Sequence, residues 1–330
     1  MSIISSMFKL IFSIILVYLV LLLPNNLLWD RNNYLYYAEF SDKIIDSYDT
    51  LKDLIFNDYL FLKLNQFLAI FFEPENIVNS FVVISLGGLC FLISRSAVNF
   101  LTFLIGLVFV VLVTPVLHLE VIAIRQALAT TLVLFGLFYI KDFKNLVFIM
   151  LLASLIHSAF FLFLFIFVVD NVFLEKFNFR KRIILNTTMI LCIALSYLVV
   201  ADFLGMRQAE LYASYDGAVG GGTFLIAIFI FIYLYFYGNF DLKYLYFFTL
   251  QGFLLFLIFY FFANASVSAR LLESVMPAFL ILLVNKFRSN EVAIIFLIFL
   301  AYGYVWLTGG QYVLFEASDI QVREYLLDWL

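Results

Sequence analysis

Charge is what this sequence has least of. Only 13% of its 330 residues are Asp, Glu, Lys or Arg, where a soluble domain carries roughly 25%. So few polar side chains cannot cover a water-facing globule of this length. Proline is scarce, four in all, so long helices run unhindered. The two cysteines, Cys90 and Cys192, lie in different apolar runs. They give neither a disulfide framework nor a zinc-ligand spacing, and read as small packing residues. The sequence has no Walker loop and no Gly-rich dinucleotide turn. It also has no internal repeat, no low-complexity tract and no soluble domain. The net charge of −4 says little about partners, and no nucleic acid is expected among them.

What the chain does have is apolar: 65% of its residues, with a mean hydropathy of +1.09. These residues come in blocks, at about 7–28, 77–94, 98–113, 119–140, 145–169, 183–201, 223–238, 244–262, 270–285 and 291–308. Several blocks exceed the ~17 residues that cross a hydrocarbon core of about 30 Å. They are continuous rather than alternating, which predicts helices and not a barrel. The abundant Phe (43) and Tyr (20) suit lipid-facing surface and interfacial belts. The expected fold is all-α, a polytopic membrane helical bundle of about 10–11 transmembrane helices, with residues 1–330 as one integral membrane domain. The opening run, Leu10–Leu23 after Lys9, has no small-residue cleavage site behind it and is expected to stay as the first span.

Lys and Arg set the orientation. Lys9, Arg95, Lys141 with Lys144, Lys243, and Lys286 with Arg288 all fall on one side if 60–72 is an amphipathic surface segment. The cluster Lys176, Arg180, Lys181 and Arg182 joins them only if 145–169 is broken near His157 into a hairpin of two short helices. That break is expected, and it hints at a site, because broken helices are tolerated only beside protein or a wet cavity. The loops 29–76 and 202–222 and the tail 309–330 then face the periplasm of a bacterial inner membrane.

Candidate site residues follow from polar letters in apolar surroundings. Arg125, in Ile122-Ala123-Ile124-Arg125-Gln126-Ala127, is expected about one and a half turns into an apolar helix. A charge there marks a substrate or ion path, and its planar fork suits phosphate. His157, inside an apolar run, is a candidate proton carrier; His118 reads as a weaker candidate in an external turn. Asp30, at the outer end of the first span with Tyr34 close behind, suits a general base beside sugar-binding groups. The other loop acids, Asp58 among them, read as a solvated amphipathic face. Arg207, in a loop that also carries Tyr212 and ends in Gly220-Gly221-Gly222, and Arg270, opening a late helix, complete an external cationic set. Such a set predicts a polyanionic headgroup such as a lipid pyrophosphate. The sequence leaves open whether the base is Asp30, His157 or a loop acid.

Asp30-x-x-x-Tyr34, Arg125-Gln126-Ala127-Leu128-Ala129 and Ala153-Ser154-Leu155-Ile156-His157-Ser158 occur in this order. They resemble the EpsG-like family of Wzy-type exopolysaccharide polymerases over roughly residues 30–170, and Ser268-Ala269-Arg270-Leu271 looks similar as well. The resemblance implies a GT-C-like membrane glycosyltransferase. It would join undecaprenyl-pyrophosphate-linked oligosaccharides without a cofactor, with catalytic roles for Asp30, Arg125 and His157 and substrate contacts from Tyr34, Gln126, Arg207, Tyr212 and Arg270. The flippase and the chain-length regulator of the same pathway are its expected partners. An O-antigen ligase or another lipid-linked sugar transferase would use the same donor. An O-acyltransferase would need a cytosolic donor. A flippase or transporter would be expected to carry central charges or a duplicated half, neither of which is visible.

Overall fold

The computed structural model describes residues 3–204, 221–238, 240–309, 314, 315 and 321. Helix starts are written into the sequence. Side chains of Asn99, Asp142, Asn178 and Asn264 cap the helices that follow them, each accepting hydrogen bonds from backbone N–H groups the helix leaves unpaired. Pro74 and Pro115 stand in first turns, where a missing N–H does no harm. Fifteen α-helices result among the described residues, with no strand beyond a single bridge between Leu28 and Phe315. The fold is an all-helical membrane bundle, as expected.

The first helix, α1 (Ile3–Leu21), leads to three shorter ones at one end of the bundle: α2 (Arg31–Asp46), α3 (Leu51–Phe56) and α4 (Tyr59–Ala69). The chain then runs back and forth through α5 (Pro74–Ser96), α6 (Phe100–Leu112), α7 (Thr114–Val121), α8 (Ile124–Tyr139), α9 (Phe143–Ile156), α10 (Phe160–Val169) and α11 (Phe179–Phe203). It closes with α12 (Gly221–Tyr237), α13 (Lys243–Phe262), α14 (Ala265–Asn285) and α15 (Ser289–Leu307). The most extensive packing joins α13 and α14. Gly252 makes it possible: a Cβ there would stand 2.1 Å from Val275 Cγ2, so the missing side chain lets two backbones approach as membrane helices favour.

Among the described residues, five helices are long and apolar enough to cross a membrane: α1, α5, α13, α14 and α15. The pair α6 and α7, bent by 76°, would make a sixth. The ten or eleven crossings expected thus resolve into five or six full-length candidates and several shorter apolar helices. Backbone breaks inside apolar runs account for part of this. The expected block 119–140 is interrupted at Ile122 and Ala123, so Arg125 lies in the first turn of α8 and not one and a half turns in. The expected break at His157 is present: that residue is extended, with φ −146° and ψ 116°. Phe143 and Phe167 then stack at 5.8 Å, so α9 and α10 fold back on each other. With 14 and 10 residues they reach about 21 and 15 Å, short of a full crossing.

The turns sort into two ends. At one end, Lys243 pairs with Glu175, Lys286 pairs with Asp241 at 3.1 Å, and Val98 N–H donates to the Val284 carbonyl. Lys9 donates to the Ser94 carbonyl at 2.9 Å, satisfying a terminal acceptor of α5. Arg182, expected as one of several surface charges, is instead buried there. Its guanidinium grips Asp170 with both arms and lies 3.7 Å from the Phe247 ring centre. The opposite end holds the candidate site.

Candidate functional site

Asp58 organises this end. It precedes α4 with φ 66°, and Asp30 precedes α2 with φ 60°. They are the two non-glycine residues in the left-handed region among those described, a conformation Asp tolerates and one that collects at functional sites. The expectation that Asp58 is a solvated loop acid is corrected: its side chain is only 4% exposed and forms an ion pair with Arg125. Its other oxygen, Oδ1, accepts the Ser158 N–H at 2.9 Å and lies 3.7 Å from His157 Nδ1. The break after α9 frees that N–H, and the α3–α4 turn delivers the carboxylate to it. Burial alone would raise the Asp58 carboxyl; Arg125, His157 and the Ser158 N–H together hold it below its usual value.

Aromatic rings surround the Arg125 guanidinium. Its centre lies 4.9 Å from the Tyr37 ring, 5.6 Å from Tyr34 and 5.9 Å from Phe61, within cation–π range. Arg125 Nε and His157 Nδ1 have no hydrogen-bond partner among the described residues. Burial pushes the Tyr34 phenol up to about 12, so it remains an O–H donor at neutral pH. Arg31, beside Asp30 in sequence, is buried. It donates from Nε to the Val121 carbonyl at 2.7 Å, fixing α2 to the C-terminal end of α7.

A second trio lies next to the first. Glu273 on α14 stands 3.0 Å from His118 Nδ1 and 3.2 Å from Arg270. His118 sits within α7 and not in a turn. Gln126 ties the trios together: its Nε2 donates to the Arg270 carbonyl at 2.5 Å and to Ser274 Oγ at 2.8 Å. Asp30 is half-buried and accepts from Asn33 at 2.6 Å. Arg125 and His157 are thus brought to one carboxylate, and Arg270 is joined to them through Gln126. Arg207 and Tyr212 lie outside the described residues. Among the described residues, no cluster of three or more His, Cys, Asp or Glu is arranged to hold a metal ion.

Residues 9–319, nearly the whole chain, match the model of the EpsG family. The chain belongs to the EpsG family. This is an exopolysaccharide polymerase-like family, so the protein is a multi-pass membrane protein of polysaccharide biosynthesis with a polymerase-type, glycosyltransferase-like activity. No curated protein and no solved structure matches it significantly. Both trios of this EpsG-family protein lie within the matched span.

Sequence reasoning missed the two carboxylates. Glu273 was legible in principle, since it interrupts the apolar block 270–285 and an acid there carries the same signal as Arg125. Asp58 was one of several acids in a polar stretch, and nothing local set it apart.

Proposed function

We propose that this EpsG-family protein joins undecaprenyl-pyrophosphate-linked repeat units at the periplasmic face of the bacterial inner membrane. The observation that carries this reading is Arg125: a guanidinium held by Asp58 among aromatic rings, with Nε unengaged among the described residues. A diphosphate presents oxygens to such a fork, and the rings of Tyr34 and Tyr37 suit sugar faces. Arg125 and Arg270 would stabilise the charge on the departing pyrophosphate.

The periplasmic setting rests on the opposite end, where Arg95, Lys141, Lys144, Lys176, Lys181, Lys243, Lys286 and Arg288 gather in the turns. Such a bias faces the cytoplasm. The flippase and the chain-length regulator of the same pathway are its proposed partners. Lipid-linked glycans from cells lacking the protein test the reading. Single repeat units on each anchor support a polymerase. Polymer that accumulates on the lipid without transfer supports a ligase instead, and an unchanged pattern rejects both.

A further inference from the structure

We infer that His118, held by Glu273, is the general base that activates the acceptor sugar. This rests on the polymerase reading above and supplies the residue that reading lacks. Glycosyl transfer to a hydroxyl needs a group that takes its proton as the new bond forms. The described chain has two histidines, and each stands beside a buried carboxylate shared with an arginine. Their geometries differ. His157 Nδ1 is 3.7 Å from Asp58, beyond hydrogen-bond reach, and the nearer carboxylate oxygen is already engaged by the Ser158 N–H. His118 Nδ1 is 3.0 Å from Glu273 Oε1. Like His157 Nδ1, it makes no hydrogen bond among the described residues in this arrangement, but it is already at hydrogen-bond distance, and catalytic contacts commonly tighten only once substrate is bound. A carboxylate on Nδ1 holds the imidazole in the tautomer that leaves Nε2 as the acceptor and stabilises the cation formed on protonation.

The 76° bend before α7 turns this short helix across the site end, where it packs on α14. His118 and Glu273 keep side-chain exposures of 15% and 11%, so the pair is sheltered yet reachable. Glu273 also holds Arg270 at 3.2 Å. When a pyrophosphate takes over Arg270, the carboxylate is left to His118 alone, which couples activation of the base to arrival of the donor.

The step balances. His118 Nε2 accepts the proton of the acceptor hydroxyl while its oxygen bonds to the donor's anomeric carbon. The bond from that carbon to the pyrophosphate oxygen breaks, and its electron pair leaves with the lipid pyrophosphate. The imidazolium then returns its proton to water. Glu273 is a positioning residue in this scheme.

The test uses the full-length protein in proteoliposomes, with lipid-linked repeat units extracted from cells lacking it. Wild type that makes no polymer defeats the polymerase reading itself. With wild type active, His118→Ala should lower kcat by about 10²–10⁴-fold with KM changed less than about threefold, and added imidazole should restore at least tenfold. His157→Ala should gain nothing from imidazole. Glu273→Gln should lower kcat, and in the double variant it should add little to the loss from His118→Ala, since groups acting as a unit are not additive. The inference is overturned if folded His118→Ala keeps more than about a tenth of wild-type kcat, if imidazole does not restore it, or if His157→Ala is the variant restored.

Discussion

Two buried aspartates, each gripped by an arginine, stand at opposite ends of this bundle, and they are finished differently. Asp170 is fully engaged: Arg182 donates to both oxygens, Asn186 adds a third hydrogen bond at 2.7 Å, and Phe247 covers the guanidinium. Asp58 meets Arg125 through one arm only. Arg125 Nε and His157 Nδ1 beside it have no hydrogen-bond partner among the described residues. Buried polar groups are ordinarily satisfied, and exceptions call for an explanation. A closed pair fixes helices to one another; an unfinished one leaves polar atoms that the proposed substrate would engage. On the proposed function, the same residue types serve structure at one end and chemistry at the other.

The sharpest way to break the contrast is at the closed pair. Arg182→Leu strands a buried carboxylate and should cost about 3–5 kcal/mol, read as loss of folded protein by thermal unfolding in detergent. Asp170→Leu combined with Arg182→Met should recover most of it, because a buried pair replaced as a unit is often neutral. At the open pair the expected loss is functional. Arg125→Lys should fold normally and lose about 100-fold in activity, about 2.7 kcal/mol, since lysine keeps the charge without the fork. Polymer of normal length and amount from this variant would reduce Arg125 to a point charge.

Asp58→Asn sharpens the contrast through pH. It keeps an acceptor for the Ser158 N–H but removes the charge facing Arg125, and should destabilise the protein by about 1–3 kcal/mol at neutral pH. The folded Asp58 carboxyl is held below its unfolded value, which is about 3.9. Its contribution is therefore complete above about pH 4 and is lost as pH falls through the folded value. Unfolding temperatures of wild type and variant should converge below about pH 4; a constant gap down to pH 3 would contradict the assignment. The smallest effect belongs to the exposed Lys243–Glu175 pair, near the closed one. Lys243→Ala should change stability by less than about 0.5 kcal/mol.

How far the sequence revealed this molecule follows from the same contrast. Arg125 and His157 stood out because a polar letter inside an apolar run is costly unless partnered. Their partner did not stand out, because burial of Asp58 depends on the α3–α4 turn meeting a helix break 100 residues later. Arg182 looked like one surface charge among four, and only the fold shows that Asp170, twelve residues earlier, comes round to meet it. Helix breaks were legible where a polar residue or proline marked them, at His157 and before Thr114-Pro115, and hidden where the run stayed apolar, at Ile122–Ala123. Hydropathy records what a residue dissolves in and not where the backbone turns.

The short helices flanking His157 also constrain how the chain is assembled. Neither α9 nor α10 alone offers an inserting membrane the twenty or so apolar residues of a self-sufficient span, so the two must enter as a pair, tip first. That tip carries the Ser158 N–H and His157, and the carboxylate that receives them belongs to a segment synthesised about a hundred residues before. The carboxylate therefore waits, already translated, for a partner the ribosome has yet to make, and the site is complete only once the hairpin is in place.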